Sequence, residues 1–176
     1  MKVATGVASL VLASGLVFGG QAFAALEDSE IAANAAARCQ GALPNYEGNL
    51  RKRPLGVINE GTAPAFATCA FEIDNLQKEP VGVDSGVDYF GVFLSNFGTT
   101  AATVTCTGVA GFETGTVQYA SKGVLVPANL SGQGAIFFTA ADFGGSIFPL
   151  TAVSCQLPPG TGINDTYIGY QIDDAV

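Results

Sequence analysis

The sequence contains no histidine and no tryptophan, and only 12% of its 176 residues are charged. Without histidine, the chain lacks the most frequent general base and metal ligand, and no Ser-His-Asp or Cys-His catalytic arrangement can form. Without tryptophan, an aromatic platform for carbohydrate would depend on tyrosines, with Tyr46, Tyr89, Tyr119 and Tyr167 as candidates. The simpler interpretation of each tyrosine is a packed strand residue with its hydroxyl at the surface.

Basic residues are also scarce, because seven Lys and Arg face fifteen Asp and Glu, for a formal net charge of −8. Such a chain does not suit nucleic acid as a partner. Three of the seven basic residues are adjacent, at Arg51, Lys52 and Arg53. Pro54 disfavours helix at the preceding residue, so we expect these side chains to project from extended backbone at a sheet edge.

The Arg51-Lys52-Arg53 triad has two interpretations. The simpler one is a solvated segment that forms ion pairs with nearby acids. The second is an anion contact with an acidic polysaccharide or with phosphate groups of the bacterial outer surface, which would weaken as salt screens it.

Long apolar runs are missing except near the start, from Val7 to about Phe18. This run follows Lys2 and precedes Ala22-x-Ala24, which is the pattern of a secretory signal peptide cleaved after Ala24. Glycines interrupt the run, and it is short for a membrane-spanning helix. We therefore predict a signal peptide at residues 1–24, no transmembrane segment after its removal, and export to the periplasm or the extracellular space.

The four cysteines are an even number, as expected for an oxidising compartment. They lie at least 30 residues apart without a CxxC pair, which does not suit a zinc site. We predict two disulfides, Cys39–Cys69 and Cys106–Cys155. Cys106 and Cys155 have similar settings, TVTC and AVSC, which suits a link between two strands.

Alternating apolar residues recur along the chain and are clearest from Asp88 to Gly108. Phe90, Val92 and Leu94 share one face of a first strand, and Val104 and Cys106 share one face of a second, so we predict an antiparallel pair around a Gly98 turn. About eight such strands predict an all-β fold: an antiparallel immunoglobulin-like or jelly-roll β-sandwich. The expected inward aromatic residues include Phe66, Phe71, Phe90, Phe138 and Phe148.

Residues 26–38 are rich in alanine, with acids first and Arg38 last, which favours a short helix. The predicted organisation is therefore a signal peptide (1–24), an N-terminal helix and loop segment (25–53) and a β-sandwich domain (54–176). The mature chain suffices for one hydrophobic core.

Three other patterns contain residues that could catalyse a reaction or bind a metal ion, but each has a simpler explanation. Ser121 and Lys122 are neighbours on a strand and should point to opposite faces, which does not suit Ser–Lys catalysis. A pair of acids serving as a glycosidase site is disfavoured, because the acids fall mostly in loops and at outward positions. The segment Gly82–Asp88 offers two carboxylates but lacks EF-hand spacing, so we expect a solvated loop instead of a calcium site.

Four stretches, NEGTAPAFATCAFEI, VFLSNFGTTAATVTC, VPANLSGQGAIFFTAADF and VSCQLPPGTGINDTYIG, resemble a group of uncharacterised small exported proteins of Gram-negative bacteria with four cysteines. The resemblance implies a secreted or periplasmic β-protein and transfers no activity, ligand or catalytic residue. The pattern N-x-G-x-x-x-x-x-V-x-C, from Asn96 to Cys106, also resembles bacterial immunoglobulin-like modules.

These observations favour a non-enzymatic exported protein without a cofactor and with a structural or surface-interaction role in the envelope or outside the cell. An envelope component or an anionic polysaccharide is the kind of partner that the triad suggests. The alternative is a glycan- or small-ligand-binding β-sandwich module, and a cleft lined by several tyrosines and a few acids would favour it. Two carboxylates that face each other across a groove would instead favour an enzyme.

Overall fold

The computed structural model describes residues 26–73, 86–111, 115–147 and 150–173. The predicted signal peptide lies outside these residues. Among the described residues, no helix is long and apolar enough to cross a membrane. The strands are β1 (Leu26–Asn34), β2 (Cys39–Gly41), β3 (Leu50–Arg53), β4 (Gly56–Asn59), β5 (Ala65–Ala70), β6 (Val87–Asn96), β7 (Ala102–Gly111), β8 (Val117–Val126), β9 (Leu130–Thr139), β10 (Thr151–Leu157) and β11 (Thr161–Asp173). Two four-residue helices, α1 (Ala35–Arg38) and α2 (Pro44–Glu47), and a 3-10 turn (Ala140–Phe143) complete the elements.

The strands form an antiparallel β-sandwich of two sheets, as predicted. In the larger sheet the order is β3-β4-β11-β6-β9, with β1 paired to the second part of β11. In the smaller sheet the order is β2-β5-β10-β7-β8. The closing strand β11 pairs with β1, β4 and β6, so the last described segment of the chain is central to the larger sheet.

The core between the sheets is built from the inward positions of alternating strands. Phe90 lies in its aromatic part, with ring centroids 5.3 Å from Phe71, 5.5 Å from Phe138 and 5.8 Å from Phe143. Phe90 and Phe138 are fully buried. The inward orientation predicted for Phe71, Phe90 and Phe138 is therefore confirmed.

Phe66 does not belong to this core, contrary to the prediction. Ala67 and Cys69 occupy the buried positions of β5, so strand alternation turns Phe66 outward, where its ring lies 5.7 Å from that of Tyr46. Phe148 lies outside the described residues.

The strands β6 and β7 do not form the predicted pair, although both exist and their buried faces are as expected. β6 pairs with β11 and β9 in the larger sheet, whereas β7 pairs with β10 and β8 in the smaller sheet. The connection around Gly98 is therefore an arch between the sheets. The side chain of Asn96, 1% exposed, holds this arch through hydrogen bonds to the carbonyls of Thr100 and Val126.

The prediction of a helix over residues 26–38 is wrong for residues 26–34, which form β1, and only Ala35–Arg38 is helical. β1 pairs with β11 over nine residues, so tertiary pairing overrides the helix propensity of alanine and glutamate. Residues 25–53 were expected to form a helix and loops ahead of the sandwich. Within that range the described residues supply β1, β2 and β3 to the two sheets.

Both predicted disulfides, Cys39–Cys69 and Cys106–Cys155, are confirmed. Each joins directly opposed residues on neighbouring strands of the smaller sheet, β2 to β5 and β7 to β10. Two disulfides agree with an exported protein.

Lys122 links the edge strand β8 of the smaller sheet to the edge strand β9 of the larger sheet. Its ammonium donates to the Phe137 carbonyl at 2.8 Å and to an Asp142 carboxylate oxygen at 2.6 Å, and it lies 5.5 Å from the Phe138 ring centroid. Ser121 points to the opposite face and bonds to Thr107, so Ser121 and Lys122 are not a catalytic pair. An inward lysine also protects a long edge strand from pairing with another chain.

We expect Lys122→Met to lower the free energy of unfolding at neutral pH by about 1 kcal/mol, because the lysine side chain is 38% exposed and solvent screens its ion pair. Burial alone would raise the pKa of Asp142, but hydrogen bonds from Lys122 and Thr139 outweigh it and lower that pKa. This stabilisation is therefore present above the ordinary pKa of 3.8 and is lost as pH falls through the lower folded value.

Urea unfolding of wild type and Lys122→Met at neutral and acid pH measures this difference. The matched control is Arg38→Met, which breaks the more exposed ion pair with Glu72 and should have a smaller effect. An equal stability loss in both variants, or a Lys122 effect that grows as pH falls, would contradict the assignment.

Candidate functional site

Four aromatic side chains lie together on the outer face of the larger sheet. Tyr89 and Phe93 come from β6, Phe137 from β9 and Tyr167 from β11. The ring centroids are 5.7 Å apart for Tyr89 and Phe137, 5.4 Å for Phe93 and Phe137, and 5.1 Å for Phe93 and Tyr167, all in edge-on contact. Each side chain is partly exposed. We call this cluster the aromatic face.

Strand alternation produces this face, because the segment DYFGVF of β6 carries aromatic residues on both sides. Phe90 and Val92 point into the core, so Tyr89, Gly91 and Phe93 point outward. Gly91 lies between Phe137 on β9 and Tyr167 on β11.

Gly91 and Gly169 leave room for the rings to lie against the sheet. A Cβ atom on Gly91 would lie 2.2 Å from the Ile136 carbonyl oxygen and 2.6 Å from Cδ1 of Phe137. A Cβ atom on Gly169 would lie 2.5 Å from Cε1 of Tyr89. No larger residue fits at either position without movement of the neighbouring strand or ring.

Acidic side chains border the aromatic face on the β1 side. The Tyr89 hydroxyl donates a hydrogen bond to the Glu30 carboxylate at 2.9 Å. Partial burial, together with this hydrogen bond, raises the pKa of Tyr89 above its ordinary value, so the phenol keeps its proton at neutral pH. Asp28 and Asp165 occupy outward positions on β1 and β11 and add to the negative charge.

This arrangement combines an apolar aromatic surface with a few fixed polar groups, which is the usual composition of a small-ligand site. Aromatic faces carry partial negative charge and attract polarised C–H groups, and carboxylates accept hydrogen bonds from hydroxyls. The same carboxylates repel anions. The aromatic face therefore suits a neutral polyhydroxylated ligand with one apolar side.

The structure places Arg51, Lys52 and Arg53 on the edge strand β3, with all three side chains exposed. The expected extended backbone at a sheet edge is confirmed. Arg51 donates through Nε to Glu60 at 3.3 Å, and Arg53 donates to the same carboxylate through Nε at 3.0 Å and through Nη2. The hydrogen bond from Arg53 lowers the pKa of Glu60 below its ordinary value. The triad does not touch the aromatic residues described above, and the anion contact stays a prediction.

A second feature, which we call the turn-end groove, lies beside this ion-pair cluster at the end of the sandwich. It has a volume of about 540 Å³ and is lined by residues that include Arg53, Ile58, Glu60, Phe97 and Gly160. A depression of about 200 Å³ shares Arg53, Ile58 and Phe97 with it and adds Leu55 and Asn164.

Three turns form the wall of the turn-end groove and are joined through Gly160. The Gly160 amide donates to the Asn59 carbonyl at 2.8 Å, and the Phe97 amide donates to the Gly160 carbonyl at 2.9 Å. These bonds connect the β4–β5, β6–β7 and β10–β11 turns into one surface.

The other sequence candidates do not join either site. Tyr46 packs on Phe66, and Tyr119, 68% exposed, lies on β8 in the smaller sheet. The segment Gly82–Asp88, for which we expect a solvated loop instead of a calcium site, lies largely outside the described residues, since positions 82–85 are not among them. Among the described residues, no group of three or more acidic or cysteine side chains is placed to hold a metal ion.

Sequence reasoning singled out Tyr89 and Tyr167 but missed their phenylalanine partners Phe93 and Phe137, as well as Phe97 in the turn-end groove. The available signal was the presence of aromatic residues on both faces of β6 and of β9. A strand that is aromatic on its outer face as well as its inner face presents a ring to solvent unless something covers it.

Comparisons with known proteins give no match to a family model or to a curated protein. Among solved structures, the chain is similar to TmCBM61, a carbohydrate-binding module, in complex with β-1,4-galactotriose, with a TM-score of 0.33, 11% identity, and 82% of this chain and 88% of that chain covered. It is also similar to the CBM22-1–GH10 modules of Clostridium thermocellum xylanase 10B complexed with xylohexaose, with a TM-score of 0.39 and 19% identity. That match covers 82% of this chain and 28% of the xylanase chain.

Proposed function

We propose that this chain is a non-catalytic glycan-binding β-sandwich, and that its aromatic face binds the neutral sugar units of a polysaccharide. The observation that carries the proposal is the set of four contacting rings on the outer face of the larger sheet, bordered by Glu30.

The rings offer a surface for the apolar side of a sugar. Phe93 and Phe137 lie between the two tyrosines, so the apolar part of the surface is continuous from Tyr89 to Tyr167. A pyranose ring presents C–H groups on its broad side, and these pack on an aromatic ring while the hydroxyls reach outward.

Glu30 and Tyr89 supply polar groups at the border of the rings. The phenol donates to the carboxylate, which holds both groups in place before a ligand arrives. The acids on the β1 side disfavour an anionic polymer at this face.

The platform is rigid because its residues lie on β6, β9 and β11, and β6 pairs with both of the other strands in the larger sheet. Side chains on paired strands lose little additional freedom on binding. A preorganised surface of this kind suits an extended chain of sugars.

A structural or surface-interaction role remains a second candidate because of the outer face of the smaller sheet. All its outward positions on β5, β7, β8 and β10 are uncharged, and Tyr119 and Leu125 are 68% and 63% exposed. Sedimentation at increasing protein concentration separates the candidates, because self-association without glycan binding would favour the structural role.

We predict that the wild-type protein is retarded in native gels that contain a neutral polysaccharide, in a panel of glucans, galactans, xylans and mannans. Phe93→Leu and Tyr167→Leu keep apolar volume but remove the ring, so each should weaken binding roughly 2- to 10-fold, and the double variant should show little retardation. Isothermal titration with an oligosaccharide of the retarding polymer gives the affinities.

Tyr119→Leu is the matched control, because it removes an exposed tyrosine ring from the other sheet. Its binding should equal that of wild type, and thermal unfolding checks that all variants are folded. Absence of retardation across the panel, or full binding by the Phe93→Leu/Tyr167→Leu protein, would refute the proposal.

A further inference from the structure

We infer that the turn-end groove is a second binding site, separate from the aromatic face, and that it takes an acidic sugar unit of the uronate type. Phe97 and its apolar neighbours would pack on the sugar ring, and the guanidinium group of Arg53, with that of Arg51 beside it on Glu60, would bind the carboxylate. This inference goes beyond the proposed function, because it concerns another end of the molecule and a ligand of opposite charge preference.

Two arches between the sheets are built in the same way. In Asn96-Phe97-Gly98 the asparagine side chain donates to two carbonyls and accepts from the Gly98 amide at 2.9 Å. In Asn59-Glu60-Gly61 the asparagine does the same, again accepting from the glycine amide at 2.9 Å. The asparagine and the glycine therefore hold each turn, and the residue between them is exposed in both.

Because the fold does not require an apolar residue at that middle position, Phe97 needs another explanation. It is 52% exposed, and Leu55, which lines the adjoining depression together with Phe97, is 75% exposed. Ile58 lines both the groove and the depression. Exposed apolar side chains gathered in a groove indicate a contact surface.

The equivalent position in the other arch is Glu60, whose carboxylate accepts hydrogen bonds from two guanidinium groups. Arg51 and Arg53 carry five N–H donors each. Only three N–H groups donate to Glu60, so most of the donors have no described protein partner. The arginine side chains are 66% and 56% exposed, so these donors are accessible.

The net positive charge of the cluster favours an anion, because two guanidinium groups contact a single carboxylate. Lys52, which lies between the two arginines in the sequence, adds a further positive charge. Glu60 and Arg53 both line the groove, and their hydrogen bond fixes the Arg53 guanidinium there before a ligand binds, which lowers the ordering cost of binding. Arg51 bonds to the same carboxylate from the neighbouring pocket. A guanidinium group recognises a carboxylate through two parallel hydrogen bonds.

The two parts of the site determine the ligand class. An aromatic side chain and a guanidinium group line the same groove. A ligand that matches both has a ring with an apolar side and an anionic group attached directly to that ring, and a uronate has this structure. A neutral sugar would give the guanidinium groups no charged partner beyond Glu60. A free phosphate would make no use of Phe97.

The test compares a hexamer of galacturonate with its methyl ester, which has the same rings without the charge. Titration calorimetry at about 10 mM and about 150 mM salt measures both ligands, because screening should weaken only the charged one. We expect wild type to bind the acid form more tightly than the ester, with affinity falling as salt rises.

Phe97→Ser and Arg53→Gln should each reduce affinity for the hexagalacturonate about 5-fold or more. Both side chains are exposed, so the variants should unfold at the wild-type temperature. Phe93→Leu/Tyr167→Leu should bind the acid form like wild type, which separates this inference from the proposed function. If the aromatic-face variants lost the acid form while Phe97→Ser and Arg53→Gln retained it, the groove would not be the site.

Inorganic phosphate added as a competitor distinguishes a uronate site from a simple anion site. Weak competition by millimolar phosphate, together with the loss in Phe97→Ser, supports the uronate assignment. Complete competition without any effect of Phe97→Ser would overturn it, as would equal affinity of the Phe93→Leu/Tyr167→Leu protein, which lacks the aromatic face, for the acid and ester forms at low salt.

Discussion

Replacement of Cys106 and Cys155 by alanine is expected to lower the free energy of unfolding by about 4 kcal/mol, one of the two largest effects we predict. The two cysteines are 49 residues apart. A disulfide of this span lowers the conformational entropy of the unfolded chain, and its removal should therefore reduce stability by about this amount. Both side chains are fully buried between β7 and β10, so the double variant also loses packing at the centre of the smaller sheet.

Urea unfolding without reductant measures this loss. Removal of Cys39 and Cys69, which are 30 residues apart, is the matched comparison and should cost about 3.5 kcal/mol by the same relation. Glycan binding should persist wherever the variants are folded, because the aromatic face lies on the other sheet. A loss below about 1 kcal/mol in the Cys106/Cys155 variant would contradict the structural role of this disulfide.

The second large effect is expected for Gly91→Ala, which should cost about 2–3 kcal/mol. The added Cβ would lie 2.2 Å from the Ile136 carbonyl oxygen, so β6 and β9 would have to separate locally. The same atom would displace the Phe137 ring, and we therefore expect glycan binding to weaken together with stability.

Gly123→Ala provides the control for a glycine on a strand. A Cβ at Gly123 meets no atom closer than 3.5 Å, and its neighbour there is the Thr105 hydroxyl. Alanine should therefore be neutral or stabilise the fold by up to about 1 kcal/mol. Equal unfolding temperatures of the Gly91→Ala and Gly123→Ala proteins would contradict this prediction, because they would show that the sheet accommodates a Cβ atom at position 91 without loss of stability.

The sequence was sufficient to predict the sandwich and the disulfides because their signals are local. Inward Phe90, Val92 and Leu94 follow strand alternation, and the similar settings of Cys106 and Cys155 indicated neighbouring strands. These features depend on period and spacing, which the sequence displays directly.

Strand partners depend on contacts that are distant in the chain, and here the sequence was misleading. A glycine turn between two alternating runs predicts a hairpin, but Asn96 turns the chain from one sheet to the other. The alanine-rich segment from Leu26 to Asn34 is a strand because β11 pairs with it, and β11 lies more than 130 residues away. Local propensity does not contain that information.

The candidate sites were only partly accessible to sequence reasoning for the same reason. Tyr89 and Tyr167 are 78 residues apart in the chain, and Phe93 contacts both Phe137 and Tyr167 across three different strands. The triad on β3 was visible as a run of charge, but its contact with Glu60 and its position beside Phe97 depend on the fold.

The most direct test of the aromatic face as a glycan platform is NMR of protein with labelled tyrosine and phenylalanine rings. The ligand is the neutral oligosaccharide corresponding to the polysaccharide that retards the protein most. The account predicts shifts for the ring signals of Tyr89, Phe93, Phe137 and Tyr167, while Tyr119 on the smaller sheet stays unchanged. Shifts confined to Tyr119 or Phe97, with the four rings unaffected, would contradict it.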